Sequence, residues 1–265
     1  MPTVTATPQL HTPIDSYMLP TDVYELATSW SPQPEIDRLL HLCREAGVTP
    51  LSALELGCGA GRLMRALRDR GVGACGIDLS EPMIARAKAA GLDAHLADMS
   101  DFNLQRTFDL IYVSANTIRH ITDGDAWERM WQAIARNLPA GGLFIADLEL
   151  GIAYLAATVG KPQVWTMSSG DSWVRSAWTL VEPPTGRRGT ARCRVEWTFE
   201  CGGVSESRTY RLAFPLRCDD ATDFLAAAAR AGLSLVGMFE NRDPFLIPRA
   251  ADRAEGRSLV VLRKP

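Results

Sequence analysis

One stretch of the chain, Leu54 to Gly61 with the sequence LELGCGAG, restricts the possible folds more than any other. An apolar run from Leu51 to Leu56 leads into three glycines that alternate with single residues, and a helical pattern follows at once. A strand, a tight glycine turn and a helix in this order allow a nucleotide-like ligand to lie against bare backbone and a helix N-terminus. The stretch therefore predicts a nucleotide-binding α/β unit.

Strand and helix patterns alternate around this turn. Strands are predicted at Ser52 to Leu56, Ala74 to Leu79, Asp93 to Ala97, Phe108 to Ser114 and Leu143 to Leu148. Helices are predicted at 60–70, 80–91 and 125–138, and a helix at 219–231 precedes two last strands at 234–240 and 257–263. Such alternation gives an α/β fold, a parallel sheet with helices on both faces, and the last two strands suggest a closing antiparallel hairpin.

The regular alternation stops near residue 150. Four runs of strand character follow, at 163–167, 173–181, 191–199 and 205–214, with turns predicted at 183–186 and 201–203. We interpret them as an antiparallel β-sheet inserted after strand five. The predicted division is a leader with lid helices at 1–50, a core at 51–149 and 218–265, and the inserted sheet at 150–217. Four prolines within residues 1–20 predict a partly extended or disordered leader.

Charge and composition exclude several classes of protein. The net charge of −3 argues against a general nucleic-acid or membrane-surface protein. The many arginines between Arg175 and Arg217 are interpreted as solvated strand faces, or alternatively as a basic wall for an anionic substrate group. The six cysteines and four histidines show no metal-ligand spacing, so no metal site is predicted. The chain shows neither a signal peptide nor an apolar stretch of spanning length, which predicts a cytoplasmic location.

Acidic residues stand at the positions where a nucleoside-like ligand is recognised. Glu55 lies two residues before the first glycine, and Asp78 ends strand two, where a carboxylate accepts hydrogen bonds from a ribose diol. Asp98 ends strand three and is followed by Met99, as adenine recognition by a carboxylate and an apolar side chain requires. A Pro-x-Gly-Gly turn at 139–142 precedes strand five.

As a set, these segments resemble the class I S-adenosylmethionine-dependent methyltransferases. The matching segments are ELGCGAG at 55–61, GIDLS at 76–80, ADM at 97–99, FDLIYVS at 108–114 and LPAGGLF at 138–144. The resemblance spans roughly residues 50–150 and the closing hairpin, and it implies a Rossmann-like seven-stranded mixed sheet whose last strand is antiparallel. A dehydrogenase Rossmann fold competes with this interpretation, but Glu55 and the closing hairpin favour the methyltransferase.

The resemblance also implies a cofactor, S-adenosylmethionine with S-adenosylhomocysteine as its product, and the residues that bind it. Backbone of the turn would approach the methionine portion and the ribose, the first carboxylate would bind the ribose hydroxyls, and the second would take the adenine amino group beside apolar side chains. The alternative for Asp98 is a turn cap. The implied cofactor-binding residues are Glu55, Gly57, Cys58, Gly59, Gly61, Asp78, Leu79, Met83, Asp98, Met99 and Ser114.

Outside the core the chain is similar to small-molecule methyltransferases that include antibiotic-sugar N,N-dimethyltransferases and glycine N-methyltransferase. The similarity lies in the aromatic segment DVYEL at 22–26, the inserted sheet and the run at 209–233. In those families the N-terminal segment folds over the cofactor and the extra sheet roofs the substrate. Tyr24 would then cap the methionyl carboxylate, or alternatively staple the segment to the core.

Three residues after strand four are the catalytic candidates. Asn116 would face the substrate, and Arg119 would bind a carboxylate or phosphate. His120 is a candidate general base or substrate ligand, because an unperturbed histidine suits proton transfer at neutral pH, and the alternative is a histidine packed under the roof. The tryptophans of the inserted sheet are either core residues or the wall of a pocket for an aromatic or cationic acceptor.

The predicted function is methyl transfer to nitrogen or oxygen of a small-molecule acceptor by a monomer or homodimer, without nucleic acid or membrane as a partner. A protein or peptide methyltransferase is one alternative. A non-catalytic S-adenosylmethionine-binding partner is another, because the turn and the two carboxylates concern only cofactor binding.

Overall fold

The structure is a computed structural model, and it describes residues 19–186, 191–202, 207–240, 248, 250 and 254–265. Most of the predicted leader, Arg187, Arg188 and most of the connection between the last two strands lie outside the described residues. The helices are α1 Thr21–Ala27, α2 Gln33–Glu45, α3 Arg62–Arg68, α4 Glu81–Ala89, α5 Gly124–Asn137, α6 Ile152–Ala157 and α7 Ala221–Arg230. A 3-10 turn covers Thr117–His120.

Two sheets are present in the described residues. The strands of the first are β1 Ser52–Leu56, β2 Gly73–Asp78, β3 Asp93–Leu96, β4 Leu110–Val113, β5 Leu143–Leu150, β10 Ser234–Glu240 and β11 Gly256–Arg263. The strands of the second are β6 Gln163–Ser169, β7 Ser172–Thr185, β8 Ala191–Gly202 and β9 Ser207–Cys218.

The first sheet has the order β10-β11-β5-β4-β1-β2-β3. Strands β1 to β5 pair in parallel, whereas β11 is antiparallel to both β5 and β10. The predicted seven-stranded mixed sheet with an antiparallel last strand is thus confirmed. The order reverses between β1 and β4, and ligands of open α/β sheets bind in the crevice beyond the carboxyl ends of the strands at such a reversal.

Alternating side chains of β1 build the two halves of the core. Leu54 and Leu56 belong to the face covered by α5 and α7, where Trp131 and Phe224 meet edge to face with ring centroids 5.1 Å apart. Ala53 belongs to the opposite face, which α2 and α3 cover. Both faces are buried, so the strand can carry an almost continuous apolar run.

The second sheet is antiparallel, lies between β5 and α7 in the sequence, and has the order β6-β7-β8-β9. We call it the roof, and the face on which α1 and α6 pack is its inner face. The predicted inserted sheet is confirmed. Arg175, Arg192, Arg194 and Arg211 are exposed, and Arg175 pairs with Glu200 on the neighbouring strand at 3.2 Å, so these arginines are solvated.

The structure differs from the sequence-based prediction in one turn and in one helix that the sequence did not indicate. The turn expected at 183–186 is wrong, because β7 continues through Pro183 and Pro184 to Thr185. The pairing register between β7 and β8 is irregular after Leu180 and after Glu182, as at a β-bulge. Proline has no backbone N–H to donate, and strands tolerate it at such bulges. Helix α6 has only six residues, too few for a periodic pattern.

No helix in the described ranges is long and apolar enough to cross a membrane.

A substitution at Gly76, in the middle of β2, tests how tightly the residues under the glycine turn are packed. A Cβ added there would lie 2.5 Å from Cys58 Cβ and 2.5 Å from Met64 Sδ. We expect Gly76→Ala to lower the free energy of unfolding by about 1–3 kcal/mol through overpacking. Gly124→Ala is the control, because no described atom lies within 4 Å of its added Cβ, and its stability should be unchanged or slightly raised. Equal urea midpoints for the two variants would contradict this packing.

Candidate functional site

The glycine turn between β1 and α3 is held by hydrogen bonds to the next strand. Gly57 and Cys58 both donate their backbone N–H to the carbonyl of Ile77, at 2.8 and 2.9 Å. Gly57, Gly59 and Gly61 all have positive φ, at 72°, 52° and 81°, a region that favours glycine. The Cys58 side chain is buried in the cluster with Met64 and Ile84, and contact of its backbone with a ligand stays a prediction.

Only one of the three glycines faces open space. A Cβ on Gly57 would meet Thr117 Cγ2 at 2.5 Å, and one on Gly61 would meet Leu92 Cδ1 at 2.2 Å. At Gly59 no described atom lies within 4 Å of an added Cβ. Packing therefore requires glycine at the first and third positions, whereas the second leaves a cradle in which a ligand can touch bare backbone.

Asp78 at the end of β2 is bound to this cradle. Its Oδ2 accepts the N–H of Gly59 at 2.8 Å, and its Oδ1 accepts the N–H of Ser80 at 2.8 Å. Burial raises the pKa of the carboxyl above its usual range, and the two backbone donors oppose that rise. Each carboxylate oxygen can accept a further bond, so Asp78 fits a pair of ribose hydroxyls.

The predicted adenine site lies around the ends of β2 and β3. Leu79 is half-buried and Met83 is buried in the first turn of α4. Asp98 is exposed and its Oδ1 accepts the N–H of Ser100 at 2.7 Å, so it also closes a turn. Met99 is half-buried, and its Cε lies 3.6 Å from the point where a Cβ of Gly57 would stand. Contacts of these four residues with adenine stay a prediction.

Glu55 is buried near the end of β1, and its part in cofactor binding stays a prediction. Its side chain is only 3% exposed, and its Oε2 accepts a hydrogen bond from the Tyr112 hydroxyl at 2.9 Å. Burial raises the pKa of Glu55 to about 8, although the Tyr112 hydrogen bond and the positive charge of Arg62 oppose the rise. Glu55 thus joins β1 to β4 below the cradle, mainly in its protonated form at neutral pH.

Helix α1, predicted as part of the lid, packs on the inner face of the roof. The ring of Tyr24 lies edge to face with that of Trp197 of the roof, at 5.8 Å between centroids. Burial and then the negative charge of Asp78 raise the pKa of Tyr24 to about 12. Trp165 of the roof donates its Nε1–H to the carbonyl of Ala27 at 2.7 Å. The Tyr24 and Trp165 contacts therefore join α1 to the roof. Capping of the methionyl carboxylate by Tyr24 stays a prediction.

The loop after β4 is fixed to the end of β5. Ser114 is half-buried at the carboxyl end of β4. Asn116 has a positive φ of 65°, donates its N–H to the Asp147 carbonyl at 3.0 Å and accepts the Glu149 N–H through its side-chain oxygen at 2.7 Å. The predicted substrate-facing role of Asn116 is untested, but its side-chain oxygen clearly holds the loop.

Arg119 is buried, and its donors are engaged by the protein. Its Nε donates to the Arg217 carbonyl at 2.8 Å, and its Nη1 pairs with Glu149 Oε2 at 3.2 Å. Its Nη2 lies 3.7 Å from the sulfurs of Cys193 and Cys218. These contacts favour a structural role that connects the roof to the sheet, and binding of a substrate anion by Arg119 stays a prediction.

His120 lies under the roof, with its ring centroid 5.1 Å from that of Phe214. Its Nδ1 is buried and has no hydrogen-bond partner among the residues described. Burial and the neighbouring positive charge of Arg119 lower the pKa of His120 to about 3. The ring is therefore neutral at physiological pH and is a weak base, which suits a substrate ligand better than a proton acceptor.

The sequence patterns missed the acids of β5. Asp147 and Glu149 lie two residues apart near the carboxyl end of β5, and Asp147 accepts two bonds from Arg257, at 2.9 and 2.7 Å. Two acids at alternate positions near the carboxyl end of an apolar strand were the available signal. Asp147 and Glu149 are both buried, and each is paired with an arginine.

A group of possible metal-ion ligands lies away from this site. Cys75, Asp93 and His95 bring three possible metal donors within 4.8 Å of one another on β2 and the edge strand β3. Arg106 already pairs with Asp93 at this point, and Asp93 also contacts His95 at 2.8 Å. The group has its own cationic partner, and it adds nothing to the crevice.

Comparison with known proteins agrees with this geometry. Residues 53–142 match the family described as "Methyltransferase domain". A dTDP-4-amino-2,3,4,6-tetradeoxy-D-glucose N,N-dimethyltransferase of Saccharopolyspora spinosa is 27% identical over 115 residues, which is 43% of this chain and 46% of that protein. A ubiquinone biosynthesis O-methyltransferase of Aromatoleum aromaticum is 27% identical over 152 residues, 53% of this chain and 64% of that protein. The match thus covers less than two thirds of either relative.

Solved structures show the same fold over nearly the whole chain. The sugar N-methyltransferase KedS8 from Streptoalloteichus has a TM-score of 0.73, with coverage of 100% of this chain and 98% of that one, at 22% sequence identity. The predicted methyltransferase fold is confirmed, and the inserted roof belongs to the shared architecture.

The raised pKa of Glu55 predicts how the free energy of unfolding depends on pH. A carboxyl whose pKa is raised on folding stabilises the fold fully below its unfolded pKa, and this stabilisation is lost as pH rises towards about 8. We expect the wild type to lose stability between pH 5 and 8, and Glu55→Gln to lose less, since its amide stays neutral. Urea midpoints at pH 5, 6.5 and 8 measure this, and parallel profiles for the two proteins would contradict a protonated Glu55.

Proposed function

We propose that this chain, in which residues 53–142 form a methyltransferase domain on the fold of the S-adenosylmethionine-dependent methyltransferases, transfers a methyl group from S-adenosylmethionine to nitrogen or oxygen of a small-molecule acceptor. The observation that carries the proposal is the open backbone at Gly59 beside the braced carboxylate of Asp78. Gly59 follows β1, which borders the reversal of strand order, and Asp78 ends the neighbouring strand β2.

The residues present fit the cofactor. Asp78 would hold the ribose diol, and the backbone at Gly59 would lie against the ribose and the methionine portion. Leu79, Met83 and Met99 would enclose the adenine, with Asp98 at its amino group. Tyr24 would close the methionyl end from the lid. When bound, S-adenosylmethionine supplies a methyl group already activated by its sulfonium, so the protein contributes mainly orientation and exclusion of water.

A small molecule is the acceptor that the enclosure favours. The lid helix is joined to the roof through Tyr24 and Trp197, and the roof is joined to the sheet through Arg119 and Glu149. A protein substrate would require an open groove at this point. One relative is named as an N,N-dimethyltransferase of a dTDP-linked amino sugar, and the other as an O-methyltransferase of ubiquinone biosynthesis. The proposal therefore includes both nitrogen and oxygen as the methylated atom.

Other features of the proposal come from the sequence. They are the division into lid, core and roof, a monomer or homodimer as the active form, a cytoplasmic location and the absence of nucleic acid and membrane as partners. The alternatives are a peptide methyltransferase and a non-catalytic cofactor-binding partner. Activity measurements distinguish both from the proposed function.

Gly59→Ala tests the cradle, with Gly170→Ala as the matched control. Both glycines have positive φ, and no described atom lies within 4 Å of a Cβ added to either, so each variant should lose a similar stability of about 1 kcal/mol. Gly170 lies at the hairpin tip between β6 and β7, away from the crevice. We expect the dissociation constant of S-adenosylhomocysteine, measured by calorimetry, to rise at least tenfold in Gly59→Ala only.

The reaction itself is tested by release of S-adenosylhomocysteine with a panel of acceptors. The panel contains amino sugars, free and linked to dTDP, their hydroxyl counterparts, a catechol and a short peptide. Product with the peptide alone would favour a peptide methyltransferase. Tight cofactor binding without product from any acceptor would favour the non-catalytic partner. Binding of NAD in place of S-adenosylmethionine would overturn the proposal.

His120 is expected to bind the acceptor while neutral. Replacing His120 by Ala should raise the acceptor KM about tenfold, the effect of one lost hydrogen bond, while the cofactor Kd stays unchanged. Because the pKa of His120 is lowered to about 3, its protonation should leave kcat unaffected between pH 7 and 5.5. His120→Gln, which keeps hydrogen-bonding capacity, should recover part of the loss. Normal turnover by His120→Ala would show that His120 does not bind the acceptor.

A further inference from the structure

We propose that Cys75, Asp93 and His95 form a binding site for zinc or a similar divalent cation that prefers thiolate and imidazole ligands. The three side chains lie on β2 and on the edge strand β3, outside the residues proposed to bind the cofactor. The inference goes beyond methyl transfer, because it assigns this group a structural cation that cross-links the two strands.

Strand pairing brings the three ligands together. Cys75 of β2 pairs directly with Asp93 of β3 in parallel register. His95 follows Asp93 by two residues, and alternate residues of a strand point to the same face of a sheet. The three ligand atoms lie within 4.8 Å of one another. The group therefore depends on the pairing of two strands, and ligand spacing along the sequence does not indicate it.

The distances between the ligand atoms suit a small divalent cation. His95 Nε2 and Asp93 Oδ1 are 2.8 Å apart, and no two of the three ligand atoms are more than 4.8 Å apart. Zinc bonds of about 2.0–2.3 Å place the ligand atoms of a tetrahedral site roughly 3.3–3.6 Å apart. Side-chain rotations that change each separation by about 1 Å are therefore sufficient to form the site.

The chemistry of the ligands selects the class of ion. A thiolate, an imidazole and a carboxylate are ligands of zinc, whereas magnesium and calcium prefer oxygen ligands alone. The side chains of Asp93 and His95 are 47% and 45% exposed, so both can turn towards an ion that arrives from solvent. Cys75 is buried, and its thiol would release a proton to solvent on binding, because zinc binds the thiolate. Three protein ligands leave a fourth position for water.

Arg106 is the cation that this group holds in the structure. It pairs with Asp93, and its positive charge also acts on Cys75. Arg106 is exposed, and an exposed ion pair contributes little stability, whereas a coordinated thiolate binds zinc strongly. The guanidinium of Arg106 also lies 4.9 Å from the centre of the Phe108 ring, a contact that it can keep when it releases Asp93. The group is therefore arranged for positive charge, and zinc is the stronger partner.

A cation at this position would brace the strand to which the glycine turn is bound. β3 is the edge strand of the first sheet and lies next to β2. His95 pairs with Ile77, whose carbonyl accepts the N–H groups of Gly57 and Cys58. An ion that joins β3 to β2 at this level would therefore stabilise the support of the cradle without contacting the cofactor.

Zinc binding by the full chain tests the inference. The protein is treated with a chelator and then titrated with Zn²⁺ by calorimetry, in the presence of a reductant that does not bind zinc. We expect one ion per chain with micromolar or tighter affinity. The melting temperature should rise with zinc, because an ion that binds the folded state stabilises it. Binding weaker than micromolar would overturn the inference.

Variants of the ligands and of residues outside the group locate the site. Cys75→Ser and His95→Ala should each weaken zinc binding about tenfold or more. The controls are Cys201→Ser and His41→Ala, a half-buried cysteine and an exposed histidine outside the group, and both should bind zinc like the wild type. Wild-type affinity in both ligand variants would overturn the inference.

Cobalt identifies the thiolate directly. The wild type loaded with Co²⁺ should show sulfur-to-cobalt charge-transfer absorption, and Cys75→Ser, with its folding checked by circular dichroism, should lack it. Equal absorption in the two proteins would show that another thiol holds the metal, and would overturn the inference.

Arg106→Gln should change zinc affinity in the opposite direction. Removing the competing guanidinium should tighten zinc binding about two- to fivefold, the range that corresponds to the loss of an exposed ion pair. A variant that fails to fold cannot produce this gain. Unchanged or weaker zinc binding by Arg106→Gln would overturn the inference.

Discussion

The hydrogen bonds between the glycine turn and β2 are the constraint on which the rest of the structure depends. Two N–H groups of the turn share the Ile77 carbonyl, and a third is accepted by Asp78. They bring the open backbone of Gly59 and a carboxylate to the same point, at the place where the strand order reverses. The loop after β4 also reaches this point, because Thr117 Cγ2 lies 2.5 Å from where a Cβ of Gly57 would stand.

A buried ion pair joins the roof to the first sheet. Arg119 pairs with Glu149 of β5 and donates to the carbonyl of Arg217 in β9, while the half-buried Arg257 pairs with Asp147 within the first sheet. Buried pairs of this kind add little net stability, because desolvation offsets the attraction between the charges. They do penalise any arrangement in which one partner is left alone, so they specify position. This explains why the end of an apolar strand carries two acids.

The fold was largely predictable because its signals are local. The ranges Ser52–Leu56 and Ser234–Glu240 agree between pattern and structure, and the four strands of the roof were recognised with shifted ends. The exceptions have physical causes. Pro183 and Pro184 signal a turn, yet bulges let the strand absorb them, and α6 is too short to show a period.

The sequence by itself determined the glycine turn, the carboxylates at the ends of β2 and β3 and the alternation that builds the sheet. These depend on neighbouring residues and on strand ends, which the chain order fixes. Only the tertiary structure decided that Cys58 points inwards, that Arg119 is engaged by Glu149, and that His120 is neutral. The reason is that burial and partner charge set these properties, and the partners come from distant parts of the chain.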